Sequence, residues 1–197
     1  GALASLDFET VLHSVMPIFT FMGAHSIRQD DEFTSHVVEN TIRTIVPALL
    51  KGNESEVVDE TGFLLVSFTT ALQHVPKHRR VRLYTTLVEA LDPNKAIAPF
   101  LVLISQQYSS NITNFKLGEA RGLVEFTESF MANFDALQQL NGWADFISLA
   151  KILMDAQKDD SKKKEFKMHA LFTNGIVNLT HSELLMLIQN GFNFMNK

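Results

Sequence analysis

Apolar side chains recur three and four residues apart along almost the whole chain. This spacing gathers them on one face of a helix with 3.6 residues per turn. Alternation with a period of two residues, which would indicate strands, is not sustained anywhere. The clearest apolar stripe comprises Leu64, Leu65, Phe68, Ala71, Leu72 and Val75. The chain is therefore predicted to be all-α, and we expect five apolar side chains to be buried between helices: Leu65, Phe68, Leu72, Leu87 and Phe146.

Turn-forming residues divide this pattern into about nine helices. Pro76 and Asp92-Pro93-Asn94 should end helices, because proline lacks the amide donor and clashes with the preceding turn. Ser109 to Asn114 reads as a polar turn, and Asn141-Gly142 as a short break or kink. The stretch Thr180-His181-Ser182-Glu183 has the composition of a helix start. Taken in pairs, helical hairpins are predicted to start near residues 6, 56, 94 and 137, with a final helix from about residue 181.

The spacing of these hairpins indicates a repeat architecture. HEAT and armadillo arrays use repeats of ~40–47 residues built from two or three helices, close to the spacing of the predicted hairpins. Pro17, Pro47 and Pro99 each lie inside an apolar helical stretch, where a proline bends the helix. We therefore predict a HEAT/armadillo-like α-solenoid segment of about four hairpins plus a final helix. A compact, irregular helical bundle is the alternative.

The first residues of the sequence suggest a piece of a longer protein. The chain starts with Gly1-Ala2 and not with Met, so residues 1–2 resemble a cloning scar. Residues 3–197 are then expected to form a single helical-repeat segment of a much larger protein. With 46% hydrophobic residues, a chain of this length can bury a core without disulfides or metals.

Composition excludes several classes of function. A net charge of −5 argues against a chain devoted to nucleic acid, which usually carries a basic excess. The absence of cysteine excludes thiolate metal sites and disulfides. The longest uncharged stretch, Val11 to Ile27, contains Pro17 and Gly23 among its polar interruptions and makes a poor membrane span.

No set of residues has the spacing that catalysis or metal binding requires. His74 and His78 are four residues apart, but Pro76 breaks the helix that would place them on one face. Neither acidic cluster, Asp30-Asp31-Glu32 or Asp159-Asp160, has the spacing of a calcium loop. Gly118 and Gly122 follow no strand that could present a phosphate-binding loop. We predict that the protein is not an enzyme and has no cofactor, metal or small-molecule substrate.

Two basic clusters are the candidate binding residues. The first contains Arg79, Arg80 and Arg82, and the second is Lys162-Lys163-Lys164. Arginine can bind phosphate or carboxylate with two parallel hydrogen bonds, so these residues are predicted to contact RNA or an acidic partner surface. The alternative is an ordinary solvated helix start and a charged loop.

One stretch of sequence resembles a known family. The resemblance rests on Val15-Met16-Pro17-Ile18-Phe19-Thr20-Phe21-Met22-Gly23, Arg28-Gln29-Asp30-Asp31-Glu32-Phe33, Val37-Val38-Glu39-Asn40-Thr41-Ile42 and Ile45-Val46-Pro47-Ala48-Leu49. These residues look like an internal segment of the very large HEAT-repeat subunit of the small-subunit processome. This is the family of HEAT repeat-containing protein one, which belongs to the UtpA (t-Utp) subcomplex associated with the U-three small nucleolar RNA. The match is close over residues 8 to 50 and is general helical-repeat character elsewhere.

The resemblance implies a nucleolar scaffold without catalytic residues. It implies a role in pre-ribosomal RNA transcription and processing towards 18S rRNA and the small ribosomal subunit. Its implied partners are β-propeller subunits of the same subcomplex and, through other parts of the parent protein, the 5′ external transcribed spacer of the pre-rRNA. The second hypothesis from the sequence is a generic adaptor or transport solenoid that binds a peptide on its concave face.

Overall fold

The computed structural model describes residues 32–51, 60–159, 161 and 179–195. Of these residues 89% are helical, in seven α-helices with no strand, which confirms the all-α prediction. The helices are α1 (Glu32–Lys51), α2 (Glu60–Ala71), α3 (Lys77–Ala90), α4 (Pro93–Thr113), α5 (Leu117–Met131), α6 (Ala136–Lys158) and α7 (His181–Met195). The first half of the first predicted hairpin, with Pro17 and Asp30-Asp31, lies outside the described residues, and α1 lies in its second half.

Local sequence determines where most of these helices begin. A 3₁₀ turn, Leu72–His74, follows α2, and Pro76 then separates it from α3, as predicted. Asp92 precedes α4 with a positive φ of 76°, and its carboxylate accepts a hydrogen bond from the amide of Asn94. Asp135 and Gln138 form a reciprocal capping box at the start of α6. The predicted hairpin starts near residues 94 and 137 are therefore confirmed at Pro93 and Ala136.

The helices stack in two rows, as they do in an α-solenoid. In one row α3 packs against both α1 and α5, and in the other α4 packs against both α2 and α6. Two ion pairs, Arg82 with Glu39 and Arg43 with Glu89, show that α1 and α3 run in the same direction. Each helix thus contacts the next helix but one, which is how repeats stack. The predicted HEAT/armadillo-like solenoid is confirmed.

Helix α7 closes the described part of the chain by packing on α4 and α6. Asn190 of α7 donates a hydrogen bond to the Ser109 hydroxyl of α4 at 2.8 Å, and Thr113 contacts Met186. Because the residue numbers run in opposite senses, α4 and α7 are antiparallel. The final helix predicted from residue 181 is confirmed at His181.

An aromatic cluster joins the two rows. Phe100 of α4 lies between Tyr84 of α3, with ring centroids 5.5 Å apart, and Phe130 of α5, at 4.9 Å. The Tyr84 hydroxyl is buried and donates to the Phe68 carbonyl of α2. All five side chains expected in the core are buried: Leu65, Phe68, Leu72, Leu87 and Phe146.

The prediction of a break at Asn141-Gly142 is wrong. Helix α6 runs through both residues without interruption. Gly142 is buried at the contact with α4, and a Cβ at this position would lie 2.4 Å from Cγ2 of Ile97. The glycine is required by the close approach of two helices, and only the packed structure reveals that requirement.

The prediction of a polar turn at Ser109 to Asn114 is also wrong for most of its length. Helix α4 continues to Thr113, and the chain turns at Asn114 to Lys116, where Phe115 has a φ of 57°. The hydroxyls of Ser109 and Thr113 donate to the carbonyls four residues earlier, so these polar side chains bond within the helix. Packing of α7 buries Ser109, whereas Ser110, Thr113 and Asn114 stay exposed.

Candidate interaction surfaces

The first turn of α3 carries most of the first basic cluster. Lys77, His78, Arg79 and Arg80 occupy this turn, with no acidic residue among them and no side-chain cap. The positive end of the helix dipole lies here, so cationic side chains are unfavourable for the stability of α3. The predicted position of the cluster at a helix start is confirmed. The stability of α3 alone does not favour these positive side chains at its first turn.

The three arginines of this cluster have different surroundings. Arg80 is half-buried, and its Nε donates to the Val75 carbonyl at 2.8 Å. Burial lowers the pKa of Arg80, while Tyr84 and Glu119 act in the opposite direction. Arg79 is also half-buried. The structure thus fixes Arg80 against the end of the preceding 3₁₀ turn.

Arg82 of α3 forms an ion pair with α1. Its guanidinium donates to both carboxylate oxygens of Glu39 in α1, at 2.5 and 2.9 Å. The Glu39 side chain is only 11% exposed, whereas that of Arg82 is 51% exposed. A phosphate would have to compete with this carboxylate for Arg82. Lys162, Lys163 and Lys164 lie outside the described residues, so their contact with RNA or an acidic partner stays a prediction.

A polar groove of about 600 Å³ opens beside Arg80. Its walls come from the end of α2 and the 3₁₀ turn, the start of α3, the second half of α4 and the start of α5. Three cationic side chains line it, against one carboxylate: Lys77, Arg80 and Lys116, with Glu119. The imidazole of His74 and hydroxyl and amide side chains supply the rest of its polar lining: Thr70, Gln73, Gln107, Ser110 and Asn111.

The groove is cationic in a chain that is acidic overall. Lys77 reaches across to α5, where its Nζ is 3.7 Å from the position a Cβ would take at Gly122. Lys116 precedes the first turn of α5 and pairs with Glu119 at 3.7 Å, and both side chains are more than half exposed. Sequence reasoning missed Lys116 and the polar residues of α4, because they are distant in sequence from the arginines.

An apolar surface lies along the first half of α6. Leu137 and Leu140 are each 66% exposed, and Ile147 is 44% exposed. On α7, Leu185, Met186 and Phe192 are also partly exposed, and the Phe192 ring packs edge-on against Phe146. Leu137, Leu140 and Ile147 are three and seven residues apart, so they share one face of α6 and form an apolar strip that a protein partner can cover.

The described residues hold no group of three or more histidine and acidic side chains that could bind a metal ion. Among these same residues, no helix has both the length and the apolar character needed to cross a membrane. The perturbed titratable groups have structural explanations. Burial raises the pKa of Tyr84, whose hydroxyl links α3 to α2, and capping hydrogen bonds lower the pKa of Glu183.

Stacked helical pairs, a cationic groove and an exposed apolar strip define the class: a HEAT-like helical-repeat segment with surfaces for binding. The model of the family described as HEATR1-like, HEAT repeats matches residues 56–191. The chain therefore belongs to the HEATR1-like family of HEAT-repeat proteins. The matched range contains every described helix from α2 to α6 and most of α7.

Similar curated proteins extend this relationship to the whole chain. The chain is 53% identical over 197 residues to "U3 small nucleolar RNA-associated protein 10" of Saccharomyces cerevisiae, covering 100% of this chain and 11% of that protein. It is 54% identical to the protein of the same name from Kluyveromyces lactis, again over 100% of this chain and 11% of the relative. For the Candida albicans protein of that name, identity is 47% over 75% of this chain and 8% of the relative.

The chain corresponds to a small part, about 11%, of the length of these relatives. The expectation that close resemblance ends near residue 50 is wrong, because identity above half extends over all 197 residues of the Saccharomyces cerevisiae comparison. The apolar repeats after residue 50 look general, since many sequences satisfy helical spacing, and a single sequence does not distinguish shared residues from generic ones. No solved structure matches this chain.

Proposed function

We propose that this chain is a non-catalytic scaffold segment of a nucleolar ribosome-assembly protein, acting in pre-rRNA transcription and in processing towards 18S rRNA. The observation that carries the proposal is the 53% identity, over the entire chain, to a relative named for its association with the U3 small nucleolar RNA. A stacked solenoid with a polar groove and an apolar strip supports binding as its activity.

The proposed partners are those implied by the resemblance to the processome subunit. They are β-propeller subunits of the UtpA subcomplex and, through other parts of the parent, the 5′ external transcribed spacer. We assign the protein partner to the apolar strip of α6, where Leu137 and Leu140 are largely exposed. Covering two leucines releases ordered water and contributes on the order of 25 cal/mol per Å² of apolar area.

We propose that the two basic clusters contact RNA or an acidic surface: Arg79, Arg80 and Arg82, and Lys162–Lys164. Arg82 is the weakest candidate, because Glu39 already binds it.

The test is a segment exchange in the Saccharomyces cerevisiae relative. This chain replaces the matching 197 residues, and the exchanged protein is scored for nucleolar localisation, co-purification of U3 RNA and 18S rRNA production. We expect the exchanged protein to support all three, and deletion of the segment to reduce 18S rRNA. Normal 18S rRNA after deletion would overturn the proposal and favour a generic adaptor.

A matched pair of variants tests the apolar strip within the same exchange. Leu137→Glu with Leu140→Glu should reduce co-purification of β-propeller proteins, because burying unpaired carboxylates is costly. The control is Asn40→Glu with Thr44→Glu, which adds the same two carboxylates at exposed positions of α1. Equal recovery of the β-propeller proteins in both variants would remove the strip from the interface.

A further inference from the structure

The cationic groove collects positive side chains at the starts of two helices. Lys77 and Arg80 from α3 and Lys116 from before α5 face a space of about 600 Å³, with a single carboxylate, Glu119, among them. The chain as a whole has a net charge of −5, so this local excess of positive charge is not a consequence of composition.

The positions of the cations oppose helix stability. Lys77 and Arg80 lie in the first turn of α3, and Lys116 immediately precedes α5, so all three are at the positive ends of helix dipoles. A sequence that violates a local rule without gain in packing marks a functional or strained site. A bound anion would remove the conflict, because it is attracted both by the side chains and by the helix ends.

Arg80 is held in position before any ligand arrives. Its Nε donates to the Val75 carbonyl, and one Nη2 hydrogen points at the Gln73 carbonyl 3.4 Å away. A guanidinium has five N–H donors, so three remain for a ligand. Lys77 forms no ion pair with any residue that the structure describes, and Lys116 has only an exposed pair at 3.7 Å. Both lysines can therefore move to a phosphate at little cost.

We propose that this groove binds the phosphate backbone of single-stranded RNA through Lys77, Arg80 and Lys116. The choice of RNA over an acidic peptide rests on the function proposed above and on the neutral lining. Ser110 and Asn111 present hydroxyl and amide groups suited to ribose hydroxyls and base edges. Gln107 adds only its amide oxygen, because its amide nitrogen donates to the Thr69 carbonyl at 2.7 Å. The space also exceeds what one phosphate fills, so the groove takes a nucleotide and not only its phosphate.

The test measures binding of the whole chain to a short fluorescein-labelled oligouridylate by anisotropy. The variant Lys77→Ala with Lys116→Ala should bind about a hundredfold more weakly, because a hydrogen bond to a charged group contributes a factor of roughly ten or more for each lysine. Its slope of log affinity against log salt should be shallower by about 0.7 for each phosphate that the variant no longer neutralises. The control is Lys95→Ala with Lys151→Ala, which has the same net charge and leaves the groove lining intact.

The Tm of a further variant distinguishes loss of RNA binding from loss of folding. Lys77→Glu puts a carboxylate at the positive end of α3, so its Tm should rise by about 1–4 °C while RNA binding is lost. Unchanged binding in the Lys77/Lys116 variant, equal weakening in the control, or no RNA binding at low salt would overturn the proposal. Equal affinity for an oligoglutamate would overturn it in favour of an acidic peptide. These results are independent of 18S rRNA production in the segment exchange, so the groove and the proposed function can fail separately.

Discussion

Gly142 and Gly191 lie in helices at positions where a side chain would collide with a neighbour. A Cβ at Gly142 would be 2.4 Å from Ile97, and a Cβ at Gly191 would be 2.0 Å from the Phe146 ring. Both neighbours are fully buried, so they have little room to move. These two glycines therefore set the distances between α6 and α4 and between α7 and α6.

The first prediction concerns these glycines. Gly142→Ala and Gly191→Ala should each lower the free energy of unfolding by about 1–3 kcal/mol, because overpacking outweighs the gain in helix propensity. Gly118→Ala is the control, since no atom lies within 4 Å of its added Cβ. It should raise stability by up to about 1 kcal/mol. Urea denaturation measures all three, and a stabilising Gly142→Ala would contradict the packing of α6 on α4.

Glu183 provides a second prediction, on pH. The amide of Thr180, and then its hydroxyl, donate to the Glu183 carboxylate at the start of α7 and lower its pKa below 4.5. A carboxyl group whose pKa is lower in the folded state stabilises the fold at a pH above its unfolded pKa. This contribution is lost as the pH falls from 4.5 through the folded pKa.

The measurement compares the Tm of the wild type with that of Glu183→Gln at several pH values. The wild type should be the more stable near neutral pH, and its advantage should shrink below about pH 4.5, as the carboxylate is protonated. Thr180→Ser keeps the hydroxyl and the amide and should retain the wild-type pH dependence. A Tm difference that is constant across this range would mean that the hydrogen bonds from Thr180 to Glu183 do not form.

At the scale of elements, α1 is attached to α3 by apolar contacts and two ion pairs. Ile42 and Val46 supply the buried contacts, and Glu39 accepts two hydrogen bonds from Arg82. The second pair, Arg43 with Glu89, is longer at 3.4 Å and both partners are exposed by 47% or more. The two pairs join the same two helices but differ in geometry and burial.

The third prediction is a difference in coupling energy between these pairs. A double-mutant cycle on Arg82 and Glu39 should give about 1 kcal/mol, reduced by solvent because the arginine is half exposed. The same cycle on Arg43 and Glu89 should give less than about 0.5 kcal/mol. Chemical denaturation of the single and double variants measures both. Equal couplings would show that bidentate geometry adds nothing at this interface.

Sequence patterns located most helix starts but failed at two positions within helices. Pro76, Pro93 and Thr180-Glu183 act through local backbone chemistry, so their effects are readable from neighbouring residues. The sequence indicates a short break or kink at Gly142 and a turn at Ser109, but both residues lie inside uninterrupted helices. Their role depends on the helix packed against them, and residues 45 and 81 positions away supply those contacts: Ile97 and Asn190.

At the scale of the whole molecule, α4 is the central element of the described part. It packs against α2, α3, α5, α6 and α7, whereas an ideal repeat contacts only its neighbours. Most of its residues from Ala96 to Ser105 are fully buried. Opening α4 therefore disrupts its contacts with five helices at once.

The fourth prediction is the order of hydrogen exchange. Amides of residues 96–105 should be the slowest to exchange, because opening them requires separation from five helices, and amides near the ends of α1 and α7 should exchange faster. Native-state exchange measured by mass spectrometry gives this order directly. If peptides from α7 are protected as strongly as those from α4, the whole described region opens as a single unit.

Sequence by itself determined the fold class, the main helix boundaries and the core side chains, because helical periodicity and capping are properties of residues close together in the chain. It also supplied the family, through residues 8 to 50, and the basic cluster at the start of α3. Only the tertiary structure separated the three arginines, committing Arg82 to Glu39 and leaving Arg80 at the groove. It also brought Lys116 and α4 to that groove, since stacking joins residues that no local pattern connects.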